Sequence, residues 1–204
     1  MLILHDDPIS GNGYKARLIM SLLDIPYQYV RYDVTKAETR TPAFLKINPN
    51  GRIPVLVLDD GSTLTESNAI LHYLADGSAW LPTDRLTHAE VLSWMFFEQY
   101  SHEPNVATLR FWNHLESIDP AQEAQIPAKR ANGEAALALM DQHLERNTWL
   151  AGDTPTIADI ALFAYTHVAE EGGYRLSEYP AIGTWIKCIQ ALPKFVAMDD
   201  WPKA

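Results

Sequence analysis

The chain has 204 residues, 47% of them apolar and 21% charged, with a formal net charge of −10. That length holds one large or two small domains, and the apolar fraction is enough for a packed core, so wholesale disorder is excluded. The acidic balance argues against nucleic-acid and membrane partners, and no apolar run approaches the roughly 18 residues of a membrane helix. Met1–Leu4 is interrupted at once by His5-Asp6-Asp7, unlike a secretory signal, and the one cysteine, Cys188, excludes an internal disulfide; a cytoplasmic protein is the simplest expectation.

The hydrophobic period changes often in the first third of the chain. Leu2-Ile3-Leu4 reads as a short strand, and Pro8–Gly13 has loop chemistry. Ala16, Ile19, Met20 and Leu23 then repeat at helical spacing until Asp24-Ile25-Pro26. Tyr27–Tyr32 is aromatic and β-branched, a strand. Thr41–Ile47 is a short helix with Pro42 in its first turn. Ile53–Leu58 is a strand opened by Pro54, Asp60-Gly61 is a hairpin turn, and Ser62–Thr65 returns. Ser67–Ala75 is a helix with Ile70, Leu71 and Leu74 on one face. The order β-α-β-α-β-β-α predicts an α/β domain over residues 1–76 with a mixed sheet.

Residues 77–86, GSAWLPTDRL, read as a linker. Strand signals stop there, and residues 87–204 predict an all-helical domain. Thr87–Ser117 is a long helix with a kink at Pro104; Pro127–Arg146, Thr156–Glu171 and Tyr179–Leu192 follow. Thr156-x-x-Asp159 is a capping box, and the helix after it is apolar nearly all round, so it belongs at the centre of its domain. Asp159 therefore reads as a buried cap. Residues 1–80 carry seven basic and nine acidic groups, against nine and seventeen in the rest, so a site for an anionic ligand belongs in the N-terminal part.

Three stretches there carry candidate chemistry. Ser10-Gly11-Asn12-Gly13 precedes the first helix, where Ser10 or Asn12 either caps the helix or donates to an anion beside its positive dipole end. A thiolate fits: lowering a thiol pKa of about 8.5 by two units takes roughly 2.7 kcal/mol, within reach of one or two charge-assisted hydrogen bonds and a helix N-terminus. Ile53-Pro54 follows a tight Asn-Gly turn. A cis bond there would turn the Ile53 N–H and C=O toward an extended peptide, whereas a trans Pro would be an ordinary strand edge. Glu66 and Ser67 stand at a helix start, as caps or as a pair that holds a zwitterion, with Arg40 and Arg52 placed for a second carboxylate. Together these ask for a zwitterionic amino-acid end, a peptide middle, a thiol and a distal carboxylate, which glutathione supplies.

NPNGRIPVL (48–56), LTESNAILHYLA (64–75) and LAGDTPTIADIALFAY (150–165), in this order, resemble the cytosolic glutathione S-transferases of the bacterial type related to the theta, phi and nu classes. The resemblance spans essentially the whole chain. It implies a thioredoxin-like N-terminal domain with a mixed four-stranded sheet, an all-α C-terminal bundle, a cis Pro54, a homodimer and glutathione as co-substrate. It also implies that Glu66 and Ser67 hold the γ-glutamyl end, that Ile53 offers main-chain bonds to the cysteinyl part, and that Arg40 and Arg52 lie near the glycine end. Ser10 matches the thiol-binding serine of theta-like members and Asn12 the asparagine of nu-like ones, with no choice between them. The loop Ser10–Tyr14 has no cysteine, so a protein mixed disulfide is excluded at that place.

Trp94, Phe96, Phe97, Tyr100, Phe111 and Trp112 are expected to be mostly core, with Tyr100 and Phe111 as candidates for an apolar substrate pocket. His102-Glu103 reads as solvated residues at a kink, and Cys188 as a small buried residue. No His and carboxylate cluster has metal-ligand spacing, and no nucleotide loop occurs. The expected function is a glutathione transferase that conjugates an electrophilic apolar substrate. The alternatives are a glutathione-dependent disulfide reductase or peroxidase on the same site, and a non-catalytic binding module.

Overall fold

The computed structural model describes residues 1–202, which form two compact units. The first comprises Met1–Gly77 together with the chain from Leu192, and the second Ser78–Ala191.

In the first unit, β1 (Leu2–Asp6) is followed by α1 (Gly11–Leu22), β2 (Tyr27–Arg31) and α2 (Pro42–Ile47). The hairpin β3 (Val55–Val57) and β4 (Thr63–Thr65) and the helix α3 (Ser67–Ala75) complete it. The sheet order is β2-β1-β3-β4, with β2 parallel to β1 and the other pairs antiparallel. Leu4 sits mid-strand opposite Tyr29 on one side and Leu56 on the other. α1 packs against α3, and Leu18, Ile19, Ile70 and Leu71 on these helices are buried.

Every residue from Gly13 to Met20 is buried, Lys15 and Arg17 included. Part of that burial comes from the C-terminal segment, which the sequence reading assigned to the helical domain. The Tyr14 hydroxyl donates to the Val196 carbonyl at 2.7 Å, Arg17 Nη1 to Met198 O at 2.8 Å, and the Ser21 hydroxyl to Lys194 O at 2.8 Å. These bonds hold the segment on α1.

The second unit is helical. α4 (Arg85–Phe97) runs through a π-helical turn (Glu98–His102) into α5 (Glu103–Asn113). α6 (Pro120–Glu123), α7 (Ile126–Leu144), α8 (Ile157–Thr166) and α9 (Pro180–Gln190) follow. All ten residues of α8 are buried, which places it at the centre of the unit, against α4 and α5. Its start is the anticipated capping box. Asp159 is fully buried and accepts from the amides of Leu150 (3.0 Å) and Thr156 (2.8 Å) and from Trp185 Nε1 (2.9 Å). Among the described residues, no helix is long and apolar enough to cross a membrane.

Three expectations fail here. None of the six aromatics between Trp94 and Trp112 is buried, because α4 and α5 turn Val91, Met95, Val106 and Leu109 inward instead. His102 is not solvated: it is fully buried on the π-helical turn, its Nε2 3.0 Å from the Thr166 hydroxyl. Cys188 is half-buried on α9 rather than buried.

Candidate functional site

α1 starts three residues earlier than the apolar spacing predicts, because Ser10 caps it. Ser10 has extended backbone, and its Oγ accepts the Gly13 N–H at 3.2 Å. The preceding loop is fixed by Asp7, which accepts from the Ile9 amide at 3.1 Å and from the Val34 amide at 2.7 Å. Accepting the Gly13 amide leaves Ser10 its own O–H to donate. Tyr14 cannot serve as a second hydroxyl donor at this loop. Its O–H is committed to Val196, and burial raises its pKa.

α3 begins differently. Glu66 precedes it with φ +68° and ψ 114°, a conformation that non-glycine residues rarely adopt, and no side chain caps the helix. Such backbone costs of order 1–3 kcal/mol and persists where the surroundings over-determine it, often at ligand sites. Glu66 is exposed, whereas Ser67 is buried.

The Ser67 hydroxyl donates to Asn12 Oδ1 at 2.9 Å and accepts from Lys15 Nζ at 3.3 Å; Lys15 also reaches Asn68 Oδ1 at 3.3 Å. Thus the N-termini of α1 and α3 meet through Asn12 and Ser67, with the buried Lys15 cation behind them. The bond to Ser67 makes Asn12 Oδ1 the acceptor and its Nδ2 the donor end. Because the Ser67 proton is directed at Asn12, a carboxylate at α3 would meet the backbone amides of its first turn.

The Ile53–Pro54 bond is cis. Strand pairing on β3 begins at Val55, so Ile53 lies outside the ladder on both sides. The turn before it is tied by Asn48, whose Nδ2 donates to Arg52 O at 2.7 Å, and by Arg40, whose Nη1 donates to Asn50 O at 3.0 Å. Gly51 has φ +63°, a backbone conformation that favours glycine. Arg40 and Arg52 are both exposed.

The structure therefore brings Ser10, Asn12 and Ser67 to adjoining helix starts, with Glu66 beside Ser67. It ties Arg40 to the 48–52 turn ahead of Ile53 and Pro54. In the second unit, Tyr100 is 88% exposed on the π-helical turn and Phe111 38% exposed on α5. Sequence reasoning missed Lys15, Arg17 and Asp6. Nothing in the local sequence marks them as buried.

A mixed four-stranded sheet with an uncapped helix start, followed along the chain by an all-α unit, defines a thioredoxin-like domain joined to a helical C-terminal domain. Residues 9–76 match the family model for the glutathione S-transferase N-terminal domain, and residues 123–188 the one for the C-terminal domain. The crystal structure of a glutathione S-transferase from Pseudomonas fluorescens Pf-5 is 46% identical, with TM-score 0.93 over 98% of this chain and 99% of that one. The disulfide-bond oxidoreductase YfcG of Escherichia coli K12 is 30% identical, covering 95% of this chain and 92% of its own length. A glutathione transferase homologue from Lodderomyces elongisporus, with two GSH per subunit in its crystal structure, is 25% identical, with TM-score 0.83 over 95% and 94%. The chain belongs to the glutathione S-transferase family.

Proposed function

We propose that the α/β unit binds glutathione and activates its thiol at the start of α1, for conjugation to an electrophilic apolar substrate. The observation that carries this reading is the meeting of two helix N-termini through the 2.9 Å bond between Ser67 and Asn12, beside Glu66 at positive φ. Two converging helix starts favour anions. The γ-glutamyl carboxylate is assigned to the first-turn backbone amides of α3, that of Ser67 included, and the ammonium to Glu66. The Ile53 main chain pairs with the cysteinyl residue beyond the cis Pro54, and Arg40 and Arg52 attract the glycine carboxylate.

Ser10 Oγ–H, the Asn12 amide, or both donate to the sulfur and lower the thiol pKa. The thiolate then attacks the electrophile: a carbon–sulfur bond forms, and the leaving group departs with its electron pair. Holding the two reactants together supplies the rest of the acceleration. Tyr100 and Phe111 are the proposed aromatic contacts for the second substrate, and the chain is proposed to work as a cytoplasmic homodimer.

A second reading is favoured by the relative named as a disulfide-bond oxidoreductase. The same thiolate would attack a disulfide, forming a mixed disulfide with glutathione and expelling a thiolate, with no cysteine of this loop taking part.

Calorimetric titration with reduced glutathione tests the shared part. Saturable binding at one site per chain, lost in Glu66→Ala, is the expected result; no binding at millimolar glutathione, at two temperatures, would overturn it. Ser10→Ala/Asn12→Ala should keep most of the affinity and lose at least tenfold in turnover, and full activity in that double variant would refute the thiolate role. Comparing rates on aryl halides and on mixed disulfides separates the two readings.

A further inference from the structure

Beneath the first turn of α1 lies a carboxyl that the thiolate reading does not use. Asp6 ends β1 and is fully buried. Its Oδ2 accepts from Arg17 Nε at 3.0 Å and from the Tyr29 hydroxyl at 3.4 Å, while Oδ1 has no hydrogen-bond partner among the described residues. That oxygen is aimed at Gly13: a Cβ on Gly13 would fall 1.4 Å from it. The carboxyl thus fills the space under the first turn that a side chain at position 13 would occupy. The same turn presents Ser10 and Asn12 on α1, and the Gly13 amide is the one bonded to Ser10.

A carboxylate below this turn and a thiolate above it draw on one helix N-terminus. Each negative charge makes the other more costly. The other charged or titratable groups facing Asp6 are Arg17 from α1, Asp7 from the following loop, and Tyr27 and Tyr29 from β2. Burial pushes the Asp6 carboxyl up, toward the range in which a thiol ionises, against the pull of Arg17 and the Asp7 amide.

We propose that Asp6 and the thiol of bound glutathione form a coupled acid pair across the first turn of α1, sharing one negative charge. The inference rests on the glutathione reading above. Asp6 is a positioning residue for charge and does not touch the substrate. As the S–H bond breaks, its electron pair stays on sulfur and the proton passes to water; water returns a proton to Asp6, whose O–H bond forms. The site keeps its net charge, and the two groups titrate as a pair.

The test follows the ultraviolet absorbance of the glutathione thiolate against pH in the saturated complex. The wild type should titrate over a broad range. Asp6→Asn, of the same shape but neutral, should titrate in one step about one unit lower, which is roughly tenfold more thiolate at the acid end. Coincident curves would overturn the proposal. Should Asp6→Asn fail to fold, the wild type decides through its infrared carboxyl band. That band should persist to higher pH with glutathione than with S-methylglutathione, which cannot ionise; identical behaviour would overturn the coupling. Absence of glutathione binding to the wild type sinks the functional reading and this inference with it, whereas binding with coincident curves sinks the coupling alone.

Discussion

α3 and α8 both begin at a polar residue, yet they begin in opposite ways. α8 closes its own start: Thr156 and Asp159 satisfy each other's backbone amides, and Asp159 also holds Leu150 and Trp185. α3 has no side-chain cap, and the residue before it stands at φ +68° with its carboxylate exposed. A helix start that is sealed and buried serves the core. One that is left open, at a cost in backbone energy, has amides to offer something from outside. Acidic residues favour helix starts in both cases; what separates a cap from a site is whether the surroundings satisfy the group.

The largest effect that tests this contrast is Asp159→Ala. It strands two backbone amides and an indole N–H inside the core, and should cost about 3–5 kcal/mol in chemical denaturation. Glutathione affinity, measured where the variant is folded, should not change. A loss under 1 kcal/mol would show that the α8 start does not hold its unit together.

The other end of α8 gives a pH test. Burial lowers His167 to about 4; its Nδ1 lies 2.7 Å from Phe163 O, and its ring stacks on Phe163. A base whose folded pKa is depressed is bound more readily by protons in the unfolded chain. Its contribution is therefore present above about 6.5 and lost as the pH falls toward 4. Denaturation midpoints should fall over that interval in the wild type, and less steeply in His167→Gln. Equal slopes would place the acid sensitivity elsewhere.

The smallest expected change is also the most diagnostic. Glu66→Gly relieves the positive φ and should stabilise the fold by about 1 kcal/mol, less what glycine adds to the entropy of the unfolded chain. The same substitution should weaken glutathione binding at least tenfold. Gain in stability with loss of binding marks a strained ligand site; loss of both would make Glu66 an ordinary structural residue.

Much of this arrangement was legible before any coordinates. The order of strands and helices follows from changes in hydrophobic period, and α3 spans Ser67–Ala75 as its apolar face predicts. The Thr156-x-x-Asp159 spacing predicts the α8 cap because both partners lie within one turn. Ser10 was legible as a cap or a donor, and the structure shows it as the cap of α1, its oxygen accepting the Gly13 amide. The exposure of Phe96 and Tyr100 was not legible. Aromatic residues at helical spacing look like core until the inward face of the helix is known.

What the sequence by itself determined is therefore local: element order, the capped start of α8, and the residue types at the candidate site. Tertiary structure alone decided which charges went inside. Lys15 and Arg17 occupy positions that a solvated helix face would also fill, and Asp6 looks like the polar end of a strand. They are buried because α3, β2 and the C-terminal segment supply partners from 23 to 181 residues away. Hydrophobic periodicity records which positions are apolar. The cost of burying a charge is settled by groups distant in sequence, and no local pattern encodes them.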